Sequence, residues 1–433
     1  MTNYITHLLR LLLLIVCLFT RNRFGQTKPN IVFIIANDLG VRDTGFMGKA
    51  DVRTPALDEL ALRSVLFDRV FVASPSCAPS RGALLSGLMP FRNGAEPNHT
   101  LVGDDVTELP SYMHDIGYEV ASIGKITHGT DKRAGFDFDN RILSLENIDI
   151  VRKYLNNREY DKPLLLMVGI KDPHVPWPRK HFGHYDPLRL SLPARLVDTP
   201  ETRIELARYY SAVERMDLQV AATLKAVDQH FGPGTIILFT SNHGAQLPYG
   251  KWNTYDGRLR VPLLVSWPTV PTLGTRNSSL LSFVDLLPTL IEMSGGDPPR
   301  AGYRENEING RSFLPLLRGK SDHYRDHVSS TNSSAAHHTF PLRSVRAEQF
   351  PYIKNVYPEL NFTVQTDHNP RAESHGMWKS WVRQAESDVD VAKKLRRYHC
   401  RSPDELYDVE NNLYEQNNLV NDPDSMTTLE SHR

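Results

Sequence analysis

Residues 30–40 read NIVFIIANDLG, and from Ile31 to Ala36 no side chain is polar. A strand with one wet face alternates apolar and polar residues, so a short unbroken apolar run predicts a strand covered on both faces, as in a parallel sheet. The runs YEVASIGKITH, KPLLLMVGIKDPH, GTIILFTSNHG and RVPLLVSWP are further short β-rich segments. Between them lie helical patterns. In TPALDELALRSVLF, Thr54 stands as N-cap, Pro55 at the first helical position, and Leu57, Leu60 and Ala61 on one face. In YSAVERMDLQVAATLKAVDQHFGPG, an apolar stripe of Val213, Met216, Val220, Leu224 and Val227 runs to a Gly232-Pro233 stop. Strands alternating with helices predict an α/β fold, a large and mostly parallel sheet covered by helices on both faces.

The chain is 433 residues long, more than one compact core usually holds. From about Arg300 it turns loop-rich and charged, then breaks into short segments. That change predicts a main α/β domain over 27–325 and a smaller C-terminal α+β domain over 326–433. Fifty basic residues balance fifty acidic ones, which argues against a dedicated nucleic-acid binder.

The start, MTNYITHLLRLLLLIVCLFTRNRFGQ, has an apolar stretch from Leu11 to Phe19 behind Arg10. It is too short to span a bilayer and has the length of a signal-peptide core, so residues 1–26 are expected to be a leader. Sequons at Asn98, Asn277, Asn332 and Asn361 fit the same secretory route, with a lysosomal or extracellular destination. No later stretch has the length and apolarity of a membrane span.

In open α/β sheets, ligands sit beyond the carboxyl ends of the strands. The runs above end in Asn37 and Asp38, in Lys125 and His128, in Asp172 and His174, and in Asn242 and His243. Polar groups recurring at that edge predict a site. Cys77, in SPSCAPSRGALLSG, is one of three cysteines, and Pro79 places it at the start of a helix. Such a cysteine can be a metal ligand, a low-pKa nucleophile, half of a disulfide with Cys400, a buried small apolar group, or the substrate of a modification. No second cysteine stands at zinc-ligand spacing from it.

The motif CAPSR followed by GALLSG closely resembles the signature of the sulfatase family, and GYEVASIGK resembles that family's second signature. IIAND, TSNHG, VDLLPTL and ELYDVENNLYEQNNL extend the likeness along nearly the whole chain after the leader. The resemblance implies the alkaline-phosphatase-like sulfatase fold and the removal of sulfate from a sulfated glycosaminoglycan sugar. Heparan-type sugars are implied, with N-sulfoglucosamine favoured; the three-residue spacing of Lys125 and His128 is similar to iduronate-2-sulfatases.

It also implies that Cys77 becomes formylglycine, through a formylglycine-generating enzyme met during biosynthesis, and it allows a homodimer. In the roles so implied, Arg81 holds the modified residue and Lys125 and Lys251 contact the sulfate. His128 helps deprotonate the hydrated aldehyde, and His174 protonates the leaving group. One calcium ion would be held by Asn37, Asp38, Asn242, His243 and the modified Cys77.

Here the chain departs from the family pattern. Asn37 and Asn242 stand where sulfatases have aspartates, and each exchange removes a full negative charge at contact distance from the ion. At an effective dielectric of ~20 that is worth on the order of several kcal/mol before desolvation. Asp38 is left as the obvious carboxylate, with Asp172 as a candidate to compensate. The departure keeps open a weakened enzyme or a non-catalytic glycan binder on the same fold. A phosphohydrolase of the same superfamily is disfavoured, since such relatives carry serine or threonine as nucleophile.

Overall fold

The computed structural model describes residues 28–49, 51–128, 134–159, 162–179, 184–335, 338–370 and 375–432. The expected leader lies outside them. The first run forms β1 (Ile31–Ala36), in which every residue is buried. In chain order there follow β2 (Val65–Phe71), β3 (Glu119–Gly124), β4 (Phe138–Asn140), β5 (Leu164–Gly169), β6 (Ile236–Ser241), β7 (Arg260–Ser266), β8 (Arg276–Asn277) and β9 (Leu281–Ser282). They make one sheet in the order β4-β3-β5-β1-β6-β7-β2-β8, with β9 also on β2. β1 runs parallel to β5 and to β6, with Ile31 opposite Leu165 on one side and Ile236 on the other. β5 and β6 are, like β1, fully buried, as unbroken apolar runs require. β7 is the exception to parallel order: it is antiparallel to both β6 and β2.

The helix after β1 spans Pro55–Leu62 and buries Leu57 and Leu60. Its start is held differently from the expected cap. The Thr54 hydroxyl accepts the Gly45 N–H at 2.8 Å and donates to Asp58. The free N–H groups of Ala56 and Leu57 donate instead to the Asp217 carboxylate, each at 3.0 Å. Asp217 belongs to a helix over Pro200–His230, which begins well before the apolar stripe, and Thr199 caps it by accepting the Thr202 N–H. All five residues of the stripe are buried. At roughly 1.5–3 kcal/mol per fully buried large aliphatic side chain, this face is enough to hold the helix on the sheet.

A second sheet is made of β10 (Val328–Ala335), β11 (His338–Arg346), β12 (Pro351–Asn355) and β13 (Asp404–Leu406), all antiparallel. It closes on the main sheet beside the segment that leads to Cys77. The Thr331 N–H donates to Ala73 O, the Ser330 hydroxyl to Val72 O, and Arg346 pairs with Asp256 at 2.7 Å. Phe340, Leu342 and Ile353 share one apolar core with Val32 and Ile34. We propose the domain boundary at about residue 325, just ahead of β10. Of the sequons, Asn332 is buried and Asn361 is exposed, so the folded surface offers the second and not the first.

Candidate active site

The ends of β1, β3, β5 and β6 converge on the start of a helix over Cys77–Ser86. Cys77 is its first residue and is buried, with Ser76 at the N-cap. A helix start gathers unpaired N–H groups and partial positive charge, so it suits an anion. Lys125 is carried to the edge by two glycines at adjacent strand ends. A methyl on Gly124 would lie 2.1 Å from Gly169 O, and one on Gly169 would lie 2.2 Å from Lys125 O. Only bare Cα atoms let these strands approach so closely.

Lys251 Nζ lies 3.2 Å from Cys77 Sγ and 2.9 Å from Asp38 Oδ2. Lys125 Nζ lies 4.0 Å from the same sulfur, and His243 Nε2 lies 3.3 Å from it. Lys251 is only 4% exposed, which excludes a solvated surface lysine. Arg81 donates to the carbonyls of Lys125 and Ile126 and to Asn37 Oδ1, tying the helix to the strand ends. Burial pushes the Cys77 thiol up, but Lys251, Lys125 and His243 together outweigh it and leave the pKa well below the ordinary thiol value. The pocket therefore favours negative charge at residue 77.

Asp38 sits in the left-handed region at φ 68°, a conformation that aspartate tolerates better than most residues, and is fully buried. Burial raises its pKa, yet Lys251, His174 and His243 bring it below the usual carboxylate value. His243 Nε2 lies 3.3 Å from Asp38 Oδ1, and its Nδ1 meets Gly244 O at 2.9 Å. With Nδ1 as the donor to that carbonyl, the lone pair of Nε2 points at residue 77. His174 sets its Nδ1 on Val175 O at 2.5 Å and its Nε2 3.9 Å from Asp38 Oδ2, where a proton on Nε2 faces that carboxylate.

His128 stands with His99, Nε2 to Nδ1 at 2.7 Å. Burial, reinforced by Lys125, pushes the His128 pKa down to about 4. Its neutral form is therefore the folded form over most of the acidic range. An unfolded histidine protonates near 6.5, so His128 contributes stability above that pH and loses it as pH falls toward 4. Accordingly, His128→Gln is expected to lose less Tm than the unaltered protein between pH 6.5 and 4; an identical loss in thermal scans contradicts this environment.

The residues expected to hold calcium are here as well. Asn37 Oδ1 accepts from Asn242 Nδ2 at 2.7 Å and from Arg81 at 3.2 Å, while Asn37 Nδ2 is buried without a partner among the described residues. Asn242 Oδ1 accepts the Asp38 N–H at 2.8 Å. Asp172 does not compensate: its Oδ2 accepts from Gln219 at 2.9 Å and pairs with Arg215 at 3.3 Å. Asp38, Cys77 and His174 bring ligand atoms within 4.8 Å of one another, a set of one carboxylate, one sulfur and one imidazole. Calcium takes six to eight oxygens and prefers several carboxylates. With a single carboxylate already paired to a lysine, and two amides bonded to each other, these residues do not fit calcium.

The structure brings Asp38, Lys125, His243 and Lys251 around Cys77, with Asn37, Arg81, His174 and Asn242 linked to them, while His128 stands against His99 and Asp172 against Gln219 and Arg215. His99 was not expected, since a histidine in a loop gives no periodic signal; its pairing shows only in three dimensions. Cys77 and Cys400 are both free, the first buried and the second exposed. Among the described residues, no helix is long and apolar enough to cross a membrane.

The sulfatase family model matches residues 29–149 and 146–296, and the model for the N-sulphoglucosamine sulphohydrolase C-terminal region matches 244–370. An ulvan-active sulfatase of Formosa agariphila is 31% identical over 417 residues, covering 92% of this chain and 77% of its own. Human N-sulphoglucosamine sulphohydrolase is 30% identical over 455 residues, covering 94% and 89%. Among solved structures, a protein in complex with its substrate D-glucosamine-2-N,6-O-disulfate superposes with TM-score 0.68 at 18% identity, covering 94% and 96%. A phosphonate monoester hydrolase of Agrobacterium radiobacter superposes with TM-score 0.69 at 17% identity, covering 93% and 94%, so the fold alone does not choose between sulfate and phosphonate. The family match and the two relatives do choose: this chain belongs to the sulfatase family of sulfate-ester hydrolases.

Proposed function

We propose that this chain removes sulfate from a sulfated glycosaminoglycan sugar, with N-sulfoglucosamine favoured, through a formylglycine made from Cys77 on the secretory route. The observation that carries the reading is the convergence of two ammonium groups on Sγ, Lys251 at 3.2 Å and Lys125 at 4.0 Å, at a helix start, with His243 Nε2 at 3.3 Å as a base. The oxygens of a sulfo group repel an incoming nucleophile, so cations fixed before the reaction lower the barrier as charge develops on them.

In the formylglycine form, a hydrated aldehyde replaces the thiol at residue 77. One hydroxyl of the diol attacks sulfur, its proton passing to His243 Nε2, whose lone pair faces that position. The bond from sulfur to the sugar oxygen or nitrogen breaks, and His174 gives the leaving atom a proton. His128, neutral in its buried setting, takes the proton of the second hydroxyl. The carbonyl re-forms, the carbon–oxygen bond to the sulfo group breaks, and sulfate departs. Arg81 holds residue 77 in place throughout, and Lys125 and Lys251 hold the sulfo oxygens. No step draws on calcium, because the donor set does not suit it.

The test is an assay on an N-sulfoglucosamine, an aryl sulfate and an aryl phosphate, with and without chelator, using protein from a host that makes formylglycine. Turnover of a sulfated substrate with little loss on chelation is expected. Preference for the phosphate overturns the substrate class, and collapse on chelation overturns the metal-free account. The Asn37–Asn242 amide pair favours one second reading, a glycan binder without turnover, which would bind the sulfated sugar and release no sulfate.

A further inference from the structure

Beside the catalytic centre lies a cavity of about 40 Å³ lined by Arg42, Asp43, Lys49, Arg195, Arg258 and Tyr414 among others. It shares walls with the site. Gly40 and Asp43 follow Asp38 on one loop, and the N–H of Gly244, next to His243, donates to Arg258 O at 3.0 Å. Arg258 is 1% exposed. Its Nε donates to Tyr249 O at 3.0 Å, while both of its outer nitrogens are buried without a hydrogen-bond partner among the described residues. Arg195 Nε is likewise buried without a hydrogen-bond partner among the described residues, and Arg42 Nη2 makes no hydrogen bond there but faces Asp256 Oδ2 at 3.7 Å. These guanidinium groups converge: a methyl on Gly257 would lie 3.2 Å from Arg42 Nη1 and 3.5 Å from Arg195 Nη1. The Tyr414 ring lies under both, with Arg42 and Arg195 centred 5.8 and 5.5 Å from its centroid.

Carboxylates nearby balance this charge only in part. Asp43, which also lines the cavity, accepts from the Tyr209 hydroxyl at 2.9 Å and faces the charge of Arg195, one carboxylate against several cations. Asp256 lies behind Arg42 at 3.7 Å but is held by Arg346 at 2.7 Å. Burial, reinforced by Asp256, pushes the Glu415 pKa up, and both of its oxygens are turned to the Asp256 N–H. Lys49 is partly engaged by Asp51 at 3.3 Å. Buried guanidinium donors left without acceptors are costly, and a small anion that takes them returns that cost. The volume admits about three waters, or one compact charged group, but no sugar ring.

We propose that this cavity is a subsite for a second anionic group of the substrate, a sulfate or carboxylate on the same sugar or the next one. The proposal rests on the sulfatase reading for its substrate, and its test is arranged to separate the two.

The test compares two sulfated sugars that differ by one added sulfate or carboxylate, in the unaltered protein, Arg195→Gln and Arg258→Lys. The ratio of kcat/KM for the doubly to the singly anionic sugar is expected to fall about tenfold in Arg195→Gln, as befits one charged hydrogen bond. A smaller fall is expected in Arg258→Lys, which keeps the charge but loses the fork of donors. A ratio that stays constant overturns the subsite. Calorimetry on the full chain carrying Cys77→Ala needs no turnover: the doubly anionic sugar should bind more weakly once Arg195→Gln is added. Loss of inorganic sulfate binding with an unchanged sugar ratio would assign the cavity to a free anion and overturn the proposal. If no sugar is turned over, the sulfatase reading fails while the calorimetric result still decides the subsite.

Discussion

Lys251→Ala is expected to lower kcat/KM on a sulfated sugar by about 10²–10³-fold, the scale set by removing one fixed stabiliser of transition-state charge. The residue is buried, 2.9 Å from Asp38 and 3.2 Å from the sulfur of residue 77, so its ammonium faces the place where sulfate charge develops. Alanine also strands the buried Asp38, at a cost of about 3–5 kcal/mol, and the protein is expected to melt earlier. A paired change separates the two effects. Asp38→Asn with Lys251→Met removes both charges, and should restore much of the Tm while activity stays low. Recovery of activity together with stability would show that Lys251 serves only the fold.

Asn37→Asp together with Asn242→Asp is expected to turn the site into a calcium site. Each added carboxylate is worth on the order of several kcal/mol at contact with the ion before desolvation, so calorimetry should find calcium binding tightened by about 100-fold or more. Without calcium the doubly changed protein should melt earlier than the unaltered one, because the new carboxylates crowd Asp38 in a buried pocket. Added calcium should reverse that loss. If the unaltered protein binds calcium as tightly as the doubly changed one, the amides are adequate ligands and the charge argument is wrong; if calcium leaves the melting of the doubly changed protein unaltered, it is wrong as well.

Much of this architecture is legible in the chain. The unbroken run Ile31 to Ala36 demanded cover on both faces, and it is the strand between β5 and β6. The stripe from Val213 to Val227 is core, and the position of Cys77 before Pro79 marks a helix start. Legibility fails where partners are distant. Asp38 and Lys251 meet across 213 positions, and nothing local says that the lysine is buried. Asp217 holds the start of the Pro55 helix across 161 positions, displacing the local cap that Thr54 promised. Asp172 looked available to a metal, but Gln219 and Arg215, on the Pro200–His230 helix, claim it. The antiparallel course of β7 also escaped the pattern, since a fully buried strand reads alike in either direction.

Catalysis at this site requires that residue 77 become an aldehyde. Mass spectrometry of the peptide that bears it, from full-length protein secreted by a cell able to make formylglycine, is predicted to give the mass of the aldehyde or its hydrate. The unaltered thiol mass across that peptide, in protein that nonetheless releases sulfate, would contradict it.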